Sequence, residues 1–144
     1  MCWFYYNRRN YRIYYNRTED FGRLVELSIK RYQDECVFNE PLVKNTISKV
    51  IDLANKKGIL QMISVEIGGK IEAVDVGVLF NGCYYALIGS ANNQEIPNLG
   101  KLMTILDIKD AIEKKAKVVD FGATAGNWKD RWNFEREMLL KFTK

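Results

Sequence analysis

Histidine is absent from this chain of 144 residues, and the absence excludes several kinds of active site. Ser-His-Asp and Cys-His nucleophilic mechanisms need an imidazole, and so do His-ligated zinc and haem sites. Any acid–base chemistry therefore has to come from other side chains.

Cysteine is scarce and unevenly spaced. The three cysteines, Cys2, Cys36 and Cys83, are odd in number, lie far apart and form no CxxC pair. Such a pattern supports neither a disulfide framework nor a cysteine-rich metal site. We therefore expect no bound metal, and a reducing, cytoplasmic compartment.

Long hydrophobic runs are also missing. The longest apolar stretch, around residues 74–80, has the length of a strand and not of a membrane span, so no membrane contact is expected. The N-terminus mixes aromatic and arginine residues and lacks the pattern of a signal peptide. With 47% apolar and 28% charged residues, the chain is predicted to form a single globular domain over residues 1–144.

The net charge of +4 is concentrated in residues 1–17, called here the head. The head contains arginines and no acidic residue, whereas the rest of the chain carries equal numbers of basic and acidic groups. The head is also rich in tyrosine and includes Trp3 and Phe4. The sequence thus predicts a neutral body with a basic, aromatic N-terminal segment.

Hydrophobic spacing predicts a mixed α/β domain. A helix between the strands predicted at residues 83–90 and 118–122 makes them a parallel pair, because parallel neighbours need such a crossover. The predicted fold class is α/β (α+β), with a mixed sheet in the order β-α-α-β-β-β-α-β-α-β. Strands are predicted at residues 1–15, 59–67, 71–80, 83–90, 118–122 and 137–142, and helices at residues 18–35, 41–57, 99–115 and 128–134.

Three segments carry a resemblance to a known family. GGKIEAVDVGVLFNGCYYALIGSA, PNLGKLMTILDIKDAIEKKAKVVDFG and GNWKDRW resemble successive segments of GNAT acyltransferases of the FemAB-like (BioF2- or CelD-type) branch. The chain is similar to the C-terminal domain of branch members with two tandem GNAT domains. It departs from the usual GNAT phosphate loop, since PNLGKL keeps only Gly100 and has Pro97 where Arg or Gln is usual.

The resemblance implies an N-acyltransferase that uses acetyl-CoA or another acyl-CoA, with an amine acceptor. It places the pantetheine along Leu87, Ile88, Gly89 and Ser90, and the pyrophosphate on Asn98, Leu99, Gly100, Lys101 and Leu102. The pyrophosphate site also has a physical basis, because a helix N-terminus offers unpaired N–H groups and partial positive charge. A plain helix cap by Asn98 is the alternative interpretation.

Acyl transfer needs a base for the acceptor amine. Glu72, Tyr84 and, more particularly, the catalytic candidates Asp75, Tyr85 and Asp120 are available. Asp75 is predicted to share a strand face with Ile71, Ala73, Gly77 and Leu79; pairing with Lys or Arg, or exposure to solvent, is its alternative role. Asp120 has an equally supported structural role, accepting backbone N–H groups in the turn at residues 122–127.

The GNWKDRW segment supplies the candidate substrate-binding residues Trp128 and Lys129. Lys129 can bind an acceptor carboxylate or phosphate as a point charge. Trp128 and Trp132 are one helical turn apart, so packing in the core is the favoured role for the tryptophans.

The head allows two kinds of partner. Arginine between aromatic residues suits single-stranded RNA, but aromatic and arginine residues are also enriched at protein interfaces. A homodimer contact or a missing N-terminal GNAT domain that covers residues 3–15 is favoured over RNA. Two alternatives to the acyl-CoA enzyme stay open: a catalytically silent GNAT-fold binding module and an aminoacyl-tRNA-dependent transferase of the FemAB type.

Overall fold

A computed structural model describes residues 11–123 and 127–138. Within these ranges a five-stranded sheet has the order β1-β2-β3-β4-β5. The strands are β1 (Tyr11–Tyr15), β2 (Leu60–Ile67), β3 (Lys70–Phe80), β4 (Cys83–Ala91) and β5 (Val118–Asp120). The α-helices are α1 (Phe21–Tyr32), α2 (Pro41–Lys56), α3 (Leu99–Glu113) and the short α4 (Asn127–Asp130). Single 3₁₀ turns lie at Thr18–Asp20, Gln33–Glu35 and Val37–Asn39.

The sheet is antiparallel except at its last pair. Strands β1 to β4 pair antiparallel with their neighbours, and β4 pairs parallel with β5 after the chain has crossed over through α3. This mixed sheet confirms the predicted fold class, including the parallel pair.

Local signals account for where several elements begin and end. Pro41 occupies the first turn of α2, where its missing N–H costs nothing. Asn81 and Gly82 have φ values of +49° and +77°, the left-handed conformation that a tight β3–β4 hairpin needs.

The two faces of the sheet carry separate cores. One face packs against α1 and α2, with Leu24, Ile51 and Val74 at its centre. The other packs against α3 through Ile63, Leu99 and Met103, among others.

Ile71 lies on the face opposite to the predicted one. The β2–β3 register shifts between Val65 and Glu66, so that Ile71 pairs with Glu66 while Ala73 pairs with Val65. Ile71 therefore packs against the core beside α1 and α2, whereas Ala73 belongs to the core beside α3. The prediction that Ile71 shares a face with Asp75 was wrong because the bulge at Glu72 reverses the alternation.

The strand predicted at residues 137–142 falls mostly outside the part of the chain that the structure describes. Residues 134–138, which it does describe, have no regular secondary structure. The first ten residues of the head also lie outside the described ranges. Among the helices of the described ranges, none combines the length and the apolar composition required to cross a bilayer.

Candidate active site

A cleft opens where β4 and β5 separate. The parallel pairing runs from Cys83 opposite Val118 to Tyr85 opposite Asp120, and β4 then continues alone to Ala91. Among the described residues, β4 beyond Tyr85 is paired as a strand with β3 alone. This is the separation that the resemblance implies, and it frees one edge of Leu87, Ile88, Gly89 and Ser90.

A bulge lies in the middle of that free edge. Gly77 pairs with Ala86 and Val76 pairs with Ile88, so Leu87 has no partner on β3. The Leu87 side chain is half exposed. An inserted residue bends its strand and increases the local twist, which turns the end of β4 away from β5.

The cleft has a volume of about 930 Å³. Its floor is β4 from Ala86 to Ala91, one wall is formed by the C-terminal end of α1 and the turns after it, and the other by α3 and α4. A space of this size is typical of cofactor and small-molecule sites. Its acidic and basic lining residues are Arg31, Glu35, Asp75, Lys101, Asp107, Lys129 and Arg131.

A buried acidic cluster lies beside the floor. Asp107 of α3 is 4% exposed, and its Oδ1 accepts a hydrogen bond from the Tyr84 hydroxyl at 3.1 Å. A hydrogen bond also joins the carboxyl groups of Asp107 and Asp75. Asp75, a predicted site residue, is partly buried and lies beside a second carboxyl group.

Burial dominates the proton affinities of this cluster. Burial raises the pKa of Asp107 to about 6, although the hydrogen bonds with Asp75 and Tyr84 act to lower this pKa. Burial, followed by the charge of Asp107, raises the pKa of Asp75 well above its usual range. Burial and the nearby carboxylates likewise raise the pKa of the Tyr84 phenol. The two carboxyl groups thus hold a proton more tightly than isolated aspartates do.

Gly89 leaves room for the Asp75 side chain. A Cβ atom at Gly89 would lie 1.8 Å from Asp75 Oδ1, a distance that no pair of non-bonded atoms can occupy. Gly89 is the residue of β4 that pairs with Asp75 of β3. The carboxyl group of Asp75 therefore lies over the β4 backbone at Gly89.

The start of α3 is satisfied from within the chain. The Gly100 N–H donates to Asn93 Oδ1 at 2.8 Å, and the Lys101 N–H to the Asn98 carbonyl at 3.0 Å. Asn98 itself is left-handed, with φ of +67°, and its side chain makes no capping hydrogen bond. The cap predicted for Asn98 is thus supplied by Asn93.

Tyr85 and Asp120 form the last register pair before the strands separate. A hydrogen bond with Cys83, more than burial or Asp120, raises the pKa of Tyr85. Asp120 Oδ1 accepts the Gly122 N–H at 2.7 Å, which is the structural role predicted for it. Neither Tyr85 nor Asp120 is among the described residues that line the cleft, and the Asp120 side chain is exposed.

The closing segment contributes an aromatic wall. Trp128, Trp132 and Phe134 pack together with Phe121 at ring separations of 4.9–6.4 Å. The Lys129 ammonium donates to the Gly122 carbonyl at 2.7 Å and lies 5.7 Å from the Trp128 ring. Both tryptophans pack against Phe134, but Trp128 is 41% exposed at the cleft, so the core position favoured for Trp128 was wrong.

Asp107 and Asn93 were not among the predicted site residues. Asp107 lies one turn from Met103 on α3, a spacing that places it on the buried face. Ile105 and Ile112 of the same helix are instead exposed. Apolar residues are spread around α3 without one marked face, so the orientation of the helix depends on what it packs against.

Comparison with known proteins identifies the family. Residues 6–130 match the family described as the acetyltransferase (GNAT) domain. The chain therefore belongs to the GNAT acetyltransferase domain family, which confirms the superfamily inferred from its motifs. No curated protein matches the chain.

Solved structures share the fold. A predicted acetyltransferase from Clostridium acetobutylicum, solved with acetyl-CoA, superposes with a TM-score of 0.69 at 14% identity, covering 94% of this chain and 96% of that one. An aminoglycoside N-acetyltransferase in complex with CoA gives 0.64 at 8% identity, with 94% and 95% covered. A GNAT family acetyltransferase from Staphylococcus aureus gives 0.61 at 12% identity, with 93% and 97% covered.

Proposed function

We propose that this protein is an N-acyltransferase that moves an acyl group from acetyl-CoA or another acyl-CoA to an amine. The observation that carries the proposal is the cleft at the separation of β4 and β5, with its bulge at Leu87. A free strand edge offers N–H and C=O groups to the amides of pantetheine, and an N–H at the bulge can polarise a thioester carbonyl.

The cofactor lies along the cleft in this proposal. Leu87, Ile88, Gly89 and Ser90 hold the pantetheine, and the start of α3, from Asn98 to Leu102, takes the pyrophosphate. For that contact the Gly100 N–H has to exchange Asn93 Oδ1 for a phosphate oxygen. Lys101, exposed at the same helix end, adds positive charge.

The catalytic groups lie on either side of the bulge. Asp75 belongs to the acidic cluster beside β4, and Tyr85 and Asp120 lie where the strands part. The Tyr85 phenol is protonated at neutral pH, as tyrosines ordinarily are, and is the proposed donor of a proton to the departing sulfur. Trp128 and Lys129 form the acceptor side, next to the aromatic wall.

The finer assignment follows the motifs. We place the chain in the FemAB-like branch, as a single cytoplasmic domain over residues 1–144 that pairs through its head with a second copy or with an N-terminal GNAT domain. RNA is less favoured. In the described part of the head, Arg17 lies over the Tyr14 ring at 4.2 Å and pairs with Asp20 at 3.3 Å, so its charge is already engaged.

A catalytically silent GNAT-fold module is the second candidate. The observation in its favour is the start of α3, where the N–H groups of Leu99, Gly100 and Lys101 are all bonded within the chain. In that case these backbone N–H groups would not be available to bind the phosphates of acyl-CoA.

Calorimetric titration with acetyl-CoA, followed by an acyl-transfer assay, tests the proposal. Release of CoA from acetyl-CoA is measured by chromatography against amino acids, polyamines, amino sugars and aminoglycosides. We expect saturable binding, and turnover with at least one amine. Asp75→Asn should keep binding and lose turnover by about 100-fold or more, the range of general acid–base catalysis. The exposed Asp34→Asn serves as the matched control.

The possible outcomes separate the candidates. Binding without transfer to any amine supports the silent module. Absence of acetyl-CoA binding contradicts both the enzyme and the cofactor assignment, and salt-sensitive binding of aminoacyl-tRNA would support the FemAB-type transferase instead.

A further inference from the structure

The acidic cluster extends the catalytic assignment beyond Asp75. Asp75 on β3, Tyr84 on β4 and Asp107 on α3 come from three different elements and meet beside the cleft. We infer that Asp75 and Asp107 act as one unit that holds a single negative charge, binds the ammonium form of the acceptor and takes its proton. This inference rests on the proposed acyl transfer.

The contacts of Asp107 explain why the pair shares one charge. The Tyr84 hydroxyl donates to Asp107 Oδ1 at 3.1 Å, and Asp75 and Asp107 both line the cleft. Two adjacent carboxylates cannot both ionise without strong repulsion. The pair therefore holds one proton and one negative charge between its two carboxyl groups.

Within the described ranges, no lysine or arginine forms an ion pair with the Asp107 carboxyl group. Asp110, one turn further along α3, is paired with Lys114 at 2.8 Å, and Lys114 also donates to Gln61. The groups that face Asp107 are thus Asp75 from β3, Tyr84 from β4 and Asp110 from its own helix. A buried carboxylate without a cationic partner is costly, and an incoming ammonium group would supply that partner.

Gly89 provides the access route. The Asp75 carboxyl lies where the Gly89 side chain would be, and both residues line the cleft. A ligand lying along β4 therefore meets this unit across bare backbone. Any side chain at residue 89 would displace the Asp75 carboxyl group from this position.

The chemistry balances within the acyl-transfer step. The acceptor ammonium transfers one proton to the Asp107 carboxylate, which leaves a neutral amine and two protonated carboxyl groups. The amine nitrogen bonds to the thioester carbon and the carbon–sulfur bond breaks, with its electron pair remaining on sulfur. The second nitrogen proton goes to the thiolate through Tyr85 or water, and Asp107 returns its proton to solvent.

A binding measurement tests the unit without relying on turnover. Carboxyl carbons of aspartate are labelled with ¹³C, and the free protein is titrated with pH by NMR, alone and with n-propylammonium chloride. Equal concentrations of 1-propanol and of sodium chloride serve as the uncharged and ionic-strength controls. We expect propylammonium to lower the Asp107 midpoint by at least half a pH unit and the controls to leave it in place.

Variants locate the effect. Gly89→Ala should abolish the propylammonium shift, and Asp75→Asn should change the Asp107 midpoint even without ligand. Glu113→Gln, an exposed carboxylate on the same helix, should retain the shift. An Asp107 midpoint that propylammonium leaves unchanged in the wild-type protein overturns the inference.

Turnover supplies the second readout. With an amine that is acylated, Asp107→Asn should lower kcat/KM by about 100-fold or more. In the wild type, kcat/KM should fall at acidic pH with a midpoint near pH 6, and this fall should be absent in Asp107→Asn. Unaltered turnover and pH profile in Asp107→Asn overturn the inference while leaving acyl transfer standing. If no amine is acylated, the proposed function is contradicted independently of this inference. The NMR titration still decides whether Asp75 and Asp107 bind an ammonium group.

Discussion

Gly77 and Gly22 show how differently a single carbon atom acts at two positions. A Cβ atom at Gly77 would lie 2.7 Å from the Tyr85 carbonyl oxygen and 3.1 Å from Cε1 of Tyr84. At Gly22, near the start of α1, the same atom would meet nothing within 4 Å. The first position is constrained by backbone on the next strand, and the second is open.

We therefore expect Gly77→Ala to destabilise the protein by about 1–3 kcal/mol, because the crowded atom belongs to backbone that cannot rotate away. Gly22→Ala should instead be neutral or stabilising by up to about 1 kcal/mol, since alanine restricts the unfolded chain more than glycine does. Urea unfolding of both variants measures the two free energies. Equal effects would show that packing against Tyr84 and Tyr85 is not what constrains residue 77.

The pH dependence of stability follows from Asp107. Its pKa is raised to about 6 in the folded protein, above the ordinary aspartate value that it has when unfolded. The folded state therefore binds the proton more tightly, so this group stabilises the protein at low pH and the stabilisation is lost as pH rises through 6. Between pH 4 and 7 the loss is on the order of 2 kcal/mol.

Asp107→Asn should flatten this part of the stability curve. Free energies of unfolding at pH 4 to 7.5 are compared for wild type, Asp107→Asn and the control Glu113→Gln. Relative to Asp107→Asn, the free energy of unfolding of the wild type should fall as the pH rises to 7. Parallel curves would contradict the raised pKa.

At the scale of elements, α3 begins in a way that links stability to cofactor binding. Asn93, in the loop after β4, caps the Gly100 N–H, and a Cβ atom at Gly100 would lie 3.0 Å from Asn93 Nδ2. A substitution at Gly100 would therefore disturb this cap as well as any phosphate contact. Asn93 is the better position at which to separate the two effects.

Asn93→Ala should lower stability and raise CoA affinity. Loss of a helix cap costs about 0.5–2 kcal/mol, whereas CoA no longer has to displace the Asn93 side chain from the Gly100 N–H. Thermal melting and calorimetric titration with CoA measure the two quantities, with Gln94→Ala as the exposed neighbouring control. Weaker CoA binding in Asn93→Ala would indicate that Asn93 contacts the cofactor itself.

At the scale of the whole molecule, charge and aromatic residues are unevenly distributed. The body is neutral, and the head carries the net positive charge together with Trp3 and several tyrosines. Tyr15, in the described part of the head, is 51% exposed on β1, an edge strand of the sheet. An exposed aromatic edge of this kind is typical of a surface that pairs with another chain or domain.

We expect the chain to dimerise through its head when no partner domain is present. Sedimentation over a range of concentrations should show a dimer that Trp3→Ser weakens by about tenfold or more, the scale of an aromatic hot spot. Phe80→Ser, at an exposed aromatic residue of the β3–β4 hairpin, should leave the association unchanged. A monomer at all concentrations would contradict dimerisation.

The sequence by itself determined most of the elements and their order. Pro41 marks the start of α2, Asn81 and Gly82 the hairpin, and the helix between the last two described strands their parallel pairing. Each of these signals is local, because a fixed φ, a left-handed turn or a crossover length depends on neighbouring residues alone. The family motifs added the position of the cleft.

Only the tertiary structure decided which side chains meet in the cleft. The partner of Asp75 is Asp107, and the cap of Gly100 is Asn93, pairs that depend on how α3 lies on the sheet. The bulges at Glu72 and Leu87 shift the register by one residue and reverse which face a side chain occupies. Packing of α3 against Tyr84 places Asp107 inward and Ile112 outward. Hydrophobic spacing alone does not predict this orientation of the helix.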